Sequence, residues 1–244
     1  MSPRALLRPH PDPAVCALVS GGLDSAVLLR RLLSRRLTVF PLYLRCGLSW
    51  EAVELYWLRR FLRAIRCPSL ASLDVIEAPL RSTYGVRSTS LRTPSRAQSR
   101  DGAHWSLTGQ RVPGAGSADR AVFLPGRNVF LLSHAAVRCA QRGLSTVALG
   151  TLRGNPFGDA SPRFFRTFAS CLTQALAHPI RILAPLRRAT KREAIRASAG
   201  LPLHLTFSCL SPRGRRHCGA CNKCAERRRA FRAAGVPDPA PYAR

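Results

Sequence analysis

The sequence predicts an α/β protein built on a doubly wound parallel sheet, with a small cysteine-containing lobe near its C-terminal end. Three observations lead to this prediction. Short apolar runs alternate with amphipathic helical patterns from residue 14 onward, the first run ends in a Gly-Gly turn, and four cysteines cluster between residues 209 and 224. A chain of 244 residues with 46% hydrophobic residues is long enough for one such domain and a small module.

The first half of the chain contains three predicted strands and two predicted helices. The strands span 14–20, 38–44 and 70–76, and helices follow the first two strands over about 23–36 and 49–66. The second helix carries apolar residues on one stripe and arginines opposite, which indicates a face packed on the core. Residues 81–120 are rich in Ser, Thr, Gly and Arg with little periodicity, so we predict a long loop that could act as a lid.

The second half continues the alternation. Asn128 is expected to cap a helix through about residue 142, strands are predicted over 146–150 and 181–183, and a helix over 162–177. Thr190 and Glu193 have the spacing of a capping box, for a helix that ends near Gly200. A short basic helix is predicted over 225–234. We therefore expect a main domain over 14–200, a lobe and C-terminal helix over 201–234, and flexible termini at 1–13 and 235–244.

The net charge is +27, from 39 basic and 12 acidic residues, and Lys191 and Lys223 are the only lysines. Such a charge is typical of proteins that bind nucleic acid or other polyanions. The arginines are spread evenly along the chain and are not interleaved with aromatic residues, as a biased codon supply would produce. The sequence has no apolar run long enough to span a membrane and no export signal at its start, so we expect a cytoplasmic protein.

The turn after the first strand has the composition of a phosphate-binding loop. Its glycines allow backbone N–H groups to approach a phosphate, and the helix that follows contributes a partial positive charge. Asp24 could hold the Mg²⁺ that accompanies phosphates. The pattern lacks the GK[ST] end of a Walker loop and the spaced glycines of a dinucleotide-binding loop. The turn reads Ser20, Gly21, Gly22, Leu23, Asp24, Ser25.

This turn resembles the SGGxDS loop of the PP-loop ATP pyrophosphatases, which split ATP into AMP and pyrophosphate. The resemblance implies an adenine-nucleotide hydrolase-like fold that binds ATP with Mg²⁺. It also implies a nucleotide-binding set formed by the turn and the start of the next helix: Val19, Ser20, Gly21, Gly22, Leu23, Asp24, Ser25, Ala26, Val27, Leu28 and Leu29.

Four of the nine cysteines form a second constellation: Cys209, Cys218, Cys221 and Cys224. Eight, two and two residues separate them, which suits a tetrahedral zinc site with no open position, and such a site is structural. Lys223 and His217 would favour deprotonation of the thiols. An iron–sulfur cluster is the main alternative because three cysteines at two-residue spacing also open a ferredoxin-type run, and redox chemistry is a further one. The upstream fourth cysteine and the lack of a following proline favour zinc.

The two motifs, in this order, resemble one family, the 7-cyano-7-deazaguanine synthases of queuosine biosynthesis. The resemblance extends over about 15–231. It includes LPGRN at 124–128, an APL…K…E pattern at 184–193, and TFSC…CGACNKC at 206–224. The last segment is the most specific, because its cysteine spacing coincides with that of the family's zinc site.

The resemblance implies an enzyme that converts 7-carboxy-7-deazaguanine, ammonia and two ATP into the nitrile, two AMP and two pyrophosphates. Asp24, Arg127 and Lys191 would be catalytic, the latter two as contacts to phosphate or carboxylate, and Asn128 and Asp159 would contact the substrate. Arg127 could instead simply cap a helix, and Lys191 could be a solvated residue of a first helical turn. The partners are small molecules, a homodimer is possible, and neither nucleic acid nor a membrane is required.

Two segments differ from the family pattern. The family shows an Asp-Tyr-Gly-Gln-Arg-His run where residues 45–50 read RCGLSW. It also shows a PDCRPEF-like segment where 157–164 read FGDASPRF, so that Asp159, Pro162 and Phe164 keep their places and the family's cysteine and arginine do not. Both should face the base or a partner subunit, so ATP use follows from the resemblance more directly than substrate identity. Two alternatives therefore stay open: a PP-loop adenylating enzyme acting on tRNA or on another carboxylate or amide, and a non-catalytic nucleic-acid-binding protein that uses the cysteine lobe and residues 227–229.

Overall fold

The computed structural model describes residues 13–85 and 103–243. Within them five strands form one sheet in the order β3-β2-β1-β4-β5, and every neighbouring pair is parallel. This confirms the predicted doubly wound α/β fold. The strands are β1 (Ala14–Leu18), β2 (Thr38–Arg45), β3 (Asp74–Glu77), β4 (Thr146–Ala148) and β5 (Arg181–Leu183).

Helices cover both faces of this sheet, as parallel strands with apolar residues on both faces require. The core on one face includes Leu132 of α5 and Phe165 of α6, and the core on the other includes Leu28 of α1 and Phe61 of α2. The helices are α1 (Leu23–Leu33), α2 (Glu51–Ala64), α3 (Arg81–Tyr84), α4 (Trp105–Thr108), α5 (Arg127–Gln141), α6 (Pro162–Leu176), α7 (Lys191–Arg196) and α8 (Asn222–Ala234).

The strand order reverses between β1 and β4. From β1 the chain builds outward through β2 to β3, and then crosses to the other side of β1 to form β4 and β5. In open α/β sheets, ligands bind outside the carboxyl ends of the strands at such a reversal. The turn after β1 and the loop after β4 lie at this position.

Most elements are where the sequence predicts them, with shifts at their ends. The fifth strand agrees with its predicted bounds, and the capping box of Thr190 and Glu193 forms as expected at the start of α7. The edge strand β3 begins only at Asp74, since Leu70 makes a single isolated bridge to Val39. Helix α7 ends at Arg196 instead of near Gly200, and α8 begins at Asn222, directly after one of the clustered cysteines.

The prediction that Asn128 caps a helix is wrong. Helix α5 already begins at Arg127, and its N-cap is Gly126, which takes a left-handed backbone conformation with φ of 72°. Asn128 therefore lies inside the first turn, where its side chain is free to bind elsewhere. Its amide donates to the backbone carbonyl of Asp159 at 3.1 Å.

The predicted loop at 81–120 contains short helical segments in its described part: α3, α4 and a 3-10 turn at Asp119–Val122. Residues 86–102 lie outside the described residues, so the expected lid stays a prediction.

The described part of the C-terminal segment is not the loose terminus that the sequence predicts. Asp238 accepts a hydrogen bond from the Arg227 guanidinium at 2.9 Å and another from the Tyr242 hydroxyl at 2.6 Å. Residues 217 and 241–243 also exchange backbone hydrogen bonds. The buried guanidinium requires a partner carboxylate, and the segment supplies it.

Arg227 also bears on the alternative of a non-catalytic nucleic-acid binder. Only 2% of this residue is exposed, and its guanidinium donates to the Thr206 hydroxyl at 2.7 Å and to the Leu203 carbonyl at 3.2 Å. Arg227 therefore ties α8 to the segment before the cysteine cluster and to the C-terminal segment, and its guanidinium is not available to contact a nucleic acid.

Candidate active site and metal centre

A cleft opens at the carboxyl ends of β1 and β4, where the strand order reverses. Its volume is about 410 Å³, and its lining comes from the turn after β1, the start of α2, the start of α5, the loop after β4, and the cysteine lobe. Six of the residues predicted to form the active site line it: Ser20, Gly22, Leu23, Asp24, Arg127 and Lys191.

The turn after β1 is held by its own serines. The Ser25 hydroxyl accepts the backbone N–H of Ser20 at 2.8 Å, and the Ser20 hydroxyl accepts the N–H of Gly22 at 3.2 Å. Ser20 lines the cleft, whereas Ser25 is buried beneath the turn. Ser25 thus orders the turn, and Ser20 and the start of α1 are the groups that face a ligand.

Glycine is required at two points around this turn because other backbone passes close by. A Cβ on Gly21 would lie 2.8 Å from the carbonyl oxygen of Glu54, and a Cβ on Gly150 would lie 2.9 Å from that of Asp24. These contacts pack the turn against α2 on one side and against the end of β4 on the other.

The remaining residues of the predicted nucleotide-binding set support the turn from the core. These residues are all buried in the core on the side of the sheet that α1 covers: Val19, Ala26, Val27, Leu28 and Leu29. Their role in this structure is to fix the helix whose N-terminus faces the cleft.

Lys191 joins the turn to α8 through two carboxylates. Its ammonium lies 3.3 Å from Asp24 Oδ2 and 2.6 Å from Glu226 Oε1, and Glu226 Oε2 lies 2.5 Å from the ammonium of Lys223. Burial would lower the pKa of Lys191, but the two carboxylates outweigh burial and raise it. Burial would likewise raise the pKa of Glu226, and the two lysines lower it to about 2. Lys191 and Glu226 therefore stay charged near neutral pH.

Two polar atoms in the cleft lack hydrogen-bond partners among the described residues: Asp24 Oδ1 and Arg127 Nε. Unpaired buried polar atoms are costly, so they indicate groups that a ligand would satisfy. Glu54 also lines the cleft. Burial raises its pKa, partly offset by a 2.8 Å hydrogen bond from the Tyr43 hydroxyl and by the charge of Arg127.

Asn128 and Asp159 lie together, but they bind each other and do not line the cleft. Besides the amide contact, the backbone N–H of Asn128 donates to Asp159 Oδ2 at 3.0 Å. Asp159 thereby satisfies a free N–H in the first turn of α5, next to Arg127. Their predicted contact with the substrate stays a prediction.

The altered segment at 45–50 is held by Glu51, which the sequence did not single out. Its carboxylate accepts the backbone N–H of Gly47 at 2.9 Å and the Arg45 Nε at 3.1 Å. The segment ends in Trp50, which lines the cleft and stacks on Trp105 with ring centroids 5.7 Å apart. Both tryptophans are buried, so the pair forms a packed wall of the cleft.

The four clustered cysteines come together as predicted. All four Sγ atoms lie within 4.8 Å of one another; the Cys218 and Cys224 sulfurs are 3.9 Å apart, and those of Cys209 and Cys221 are 4.0 Å apart. Sulfurs bound tetrahedrally to zinc at about 2.3 Å would be separated by about 3.8 Å. The cluster is compatible with structural zinc.

Backbone N–H groups point at these sulfurs, which is the second feature that fits a metal. The N–H groups of Ser211 and Cys218 donate to Cys209 Sγ at 3.3 and 3.2 Å, and that of Cys221 donates to Cys218 Sγ at 3.3 Å. Such bonds favour thiolates, the form that binds metal. Lys223 does not contribute, because its ammonium binds Glu226.

Comparison with known proteins places this architecture in a family. The model of "Queuosine biosynthesis protein QueC" matches residues 14–235, which include the turn, the cleft and the cysteine cluster. The chain belongs to the QueC family. QueC relatives named 7-cyano-7-deazaguanine synthase include one from Anaeromyxobacter sp. (strain Fw109-5), 31% identical and covering 96% of this chain and 97% of the relative.

A second QueC relative of the same name comes from Methanothrix thermoacetophila. It is also 31% identical, and the match covers 94% of this chain and 98% of the relative. Among solved structures, a 4-thiouridine synthetase–RNA complex with bound ATP matches at 15% identity with a TM-score of 0.49, over 91% of this chain and 50% of that one. That likeness is too distant to bear on function.

Within the described residues, no helix is both long and apolar enough to cross a membrane. The residues of the cleft lining that the sequence analysis did not predict include Glu54, Glu226 and Phe207. The scarcity of lysine was the one available signal, since both lysines of the chain line the cleft and both bind Glu226.

Proposed function

We propose that this chain is a 7-cyano-7-deazaguanine synthase, which joins ammonia to 7-carboxy-7-deazaguanine at the expense of two ATP. The observation that supports it most is the meeting of the SGGLDS turn, Arg127 and Lys191 in one cleft at the reversal of the sheet. Membership of the QueC family over residues 14–235 supplies the substrate class.

In the first half-reaction, a carboxylate oxygen of the substrate attacks the α-phosphorus of ATP, and the bond to the β-phosphate breaks. The N-terminus of α1 and Lys191 stabilise the charge on the departing pyrophosphate. Ammonia then attacks the carbonyl carbon and AMP leaves; with loss of a proton from nitrogen this gives the amide. No protein nucleophile is required, so the residues act by positioning and charge stabilisation.

In the second half-reaction, the amide oxygen attacks the α-phosphorus of another ATP, and pyrophosphate leaves again. Loss of AMP and of the remaining N–H protons gives the nitrile. Arg127, with its unpaired Nε in the cleft, is suited to bind the carboxylate or a phosphate oxygen. Asp24, with its unpaired Oδ1, is suited to hold the Mg²⁺ that enters with ATP.

Zinc at the four cysteines has a structural role in this proposal. The thiolates of Cys209, Cys218, Cys221 and Cys224 would fill all four coordination positions, so no open site is left for a substrate. We expect the enzyme to act in the cytoplasm on small molecules, without nucleic acid. A homodimer is also proposed, and its test is the molecular mass in solution.

The test is turnover by purified, zinc-containing protein supplied with 7-carboxy-7-deazaguanine, ammonium, ATP and Mg²⁺. The proposal predicts the nitrile, with two AMP and two pyrophosphates for each nitrile formed and the amide as an intermediate, at a rate that added RNA does not change. Release of AMP and pyrophosphate without nitrile would favour another PP-loop substrate, such as tRNA. Tight RNA binding without any AMP release would contradict an enzymatic function.

A further inference from the structure

Both lysines of the chain lie in the cleft and contact the same carboxylate. The other basic residues are all arginine, yet Lys191 and Lys223 lie 2.6 and 2.5 Å from the two oxygens of Glu226. An ammonium is a compact point charge with three rotatable donors, whereas a guanidinium is a wide planar fork. A lysine ammonium can thus bind several oxygen atoms that cluster around it. Both lysines of the chain lie in the cleft.

The position of Lys223 is fixed by the cysteine cluster. Lys223 lies between Cys221 and Cys224, in the first turn of α8, so metal ligands hold the backbone two residues before it and one residue after it. Its side chain is about a third exposed and lines the cleft. A metal at the four sulfurs would therefore hold the backbone that places the Lys223 ammonium in the cleft.

The cluster is also joined to the phosphate-binding turn by backbone. The N–H of Phe207, two residues before Cys209, donates to the carbonyl of Gly21 at 2.6 Å, and Phe207 is fully buried. Together with the ion pairs from Lys223 through Glu226 and Lys191 to Asp24, this gives two connections between the cluster and the turn.

Lys223 has hydrogen-bond donors that an anion could use. Without ligand, the ammoniums of Lys191 and Lys223 are balanced by the carboxylates of Asp24 and Glu226. Lys223 has three donors, and the described residues show one of them used, on Glu226. The others are available to phosphate oxygens bound beside the turn.

We propose that Lys223 is a phosphate-binding residue of the cleft, which contacts the diphosphate portion of ATP, and that Glu226 is a positioning residue that holds both ammoniums toward the turn. This rests on the proposed function, since it assigns a further contact in the same ATP site. It gives the cysteine cluster a part in nucleotide binding beyond holding the lobe together.

The test is the affinity of the zinc-containing protein, measured by calorimetry with Mg²⁺, for two ligands. One is an ATP analogue with a methylene bridge between its α- and β-phosphates, which cannot be cleaved there, and the other is AMP. Lys223→Ala is expected to weaken binding of the analogue about tenfold or more, because one charge-assisted contact is lost, and to leave AMP binding unchanged.

Arg229→Ala is the matched control. Arg229 is an exposed cation on the same helix, and its removal lowers the net charge by the same amount. This variant should bind both ligands as the wild type does. Zinc content and Tm are measured for each variant, and Lys223→Gln, which keeps most of the stem, replaces the alanine variant if the latter loses zinc.

The outcomes separate this inference from the proposed function. Wild-type affinity for the analogue in a zinc-containing Lys223 variant would overturn the inference, as would an equal loss of affinity for AMP, while turnover by the wild type would leave the proposed function intact. Wild-type protein that binds neither nucleotide would contradict the proposed function and the inference together.

Discussion

At the scale of single residues, the site depends on Lys191 and the carboxylates on either side of it. The family resemblance pointed to Asp24, Arg127 and Lys191 because each belongs to a short motif, and in the structure all three line one cleft. Glu226 could not be predicted in the same way, since only the packing of α8 against α7 brings it to 2.6 Å from Lys191. Asn128 was misassigned because a good capping residue can also lie inside the first turn, here two positions after the N-cap, where its partner is Asp159.

Lys191→Met is expected to lower the rate of AMP formation by about 100-fold, because the variant lacks the charge that stabilises the leaving pyrophosphate. The measurement is pyrophosphate release at saturating ATP. Arg192→Ala is the control, since Arg192 is the exposed next residue of α7. Equal rates in wild type and Lys191→Met would remove Lys191 from the catalytic residues.

At the scale of elements, periodicity predicted the helices and strands well, and their ends less well. The interior of each element is fixed by which face is apolar, a property that the sequence carries locally. The ends depend on tertiary contacts, as at α8, whose N-cap is Cys221 of the cysteine cluster. The segment at 235–243 was predicted to be flexible because the carboxylate of Asp238 and its partner Arg227 meet only in the folded protein.

Gly21→Ala tests the close packing of the turn on α2. The added Cβ would lie 2.8 Å from the Glu54 carbonyl oxygen. Because that oxygen belongs to the backbone of α2, the clash can be relieved only by moving the turn. We expect a loss of about 1–3 kcal/mol in the free energy of unfolding and weaker binding of ATP. Gly116→Ala, where a Cβ meets nothing within 4 Å, should change neither chemical denaturation nor ATP affinity.

Asp74 connects the edge strand β3 to α5 and makes the fold sensitive to acid. Arg138 Nε and Arg142 Nη2 lie 2.6 and 2.8 Å from its carboxylate, and the hydrogen bonds from Arg138 lower the pKa of Asp74. A carboxylate with a lowered pKa stabilises the folded state above its unfolded pKa of about 3.9, and that contribution is lost as the pH falls through the folded pKa.

Asp74→Asn is therefore expected to lower the free energy of unfolding by about 1–2 kcal/mol at pH 7, with the difference from wild type shrinking below about pH 4. Urea denaturation at several pH values measures it. Glu77→Gln on the same strand is the control, because 69% of that side chain is exposed and its ion pair with Arg45 should contribute little. A difference that stays constant down to pH 2 would contradict the assigned role of Asp74.

At the scale of the whole molecule, the fold brings distant segments to one end of the sheet. The alternating pattern predicted a parallel sheet with its ligand site at the carboxyl ends of the strands, whereas the strand order, and with it the place of the reversal, comes from the structure. The link from the cysteine cluster to the turn, through Phe207 and Gly21, could not be predicted, because it depends on how 201–234 packs on the sheet. Residues of this segment, among them Cys224 and Phe231, belong to the same core clusters as the strands.

Metal removal should therefore affect both stability and the nucleotide site. We expect one zinc per chain by elemental analysis, and a fall in Tm of at least about 10 °C when Cys221→Ser removes one ligand. ATP affinity should fall in the same variant. Cys171→Ser is the control, since Cys171 is exposed and outside the cluster. A brown protein that contains iron and sulfide would contradict the zinc assignment.

The central claim is that the cleft beside Ser20–Ser25 transfers AMP to an oxygen of the substrate carboxylate. The most direct measurement uses 7-carboxy-7-deazaguanine with both carboxylate oxygens replaced by ¹⁸O, followed by mass spectrometry of the products. Each AMP released on the way to the nitrile should carry one ¹⁸O atom, and pyrophosphate should carry none. Unlabelled AMP, or label in inorganic phosphate or pyrophosphate, would contradict the account.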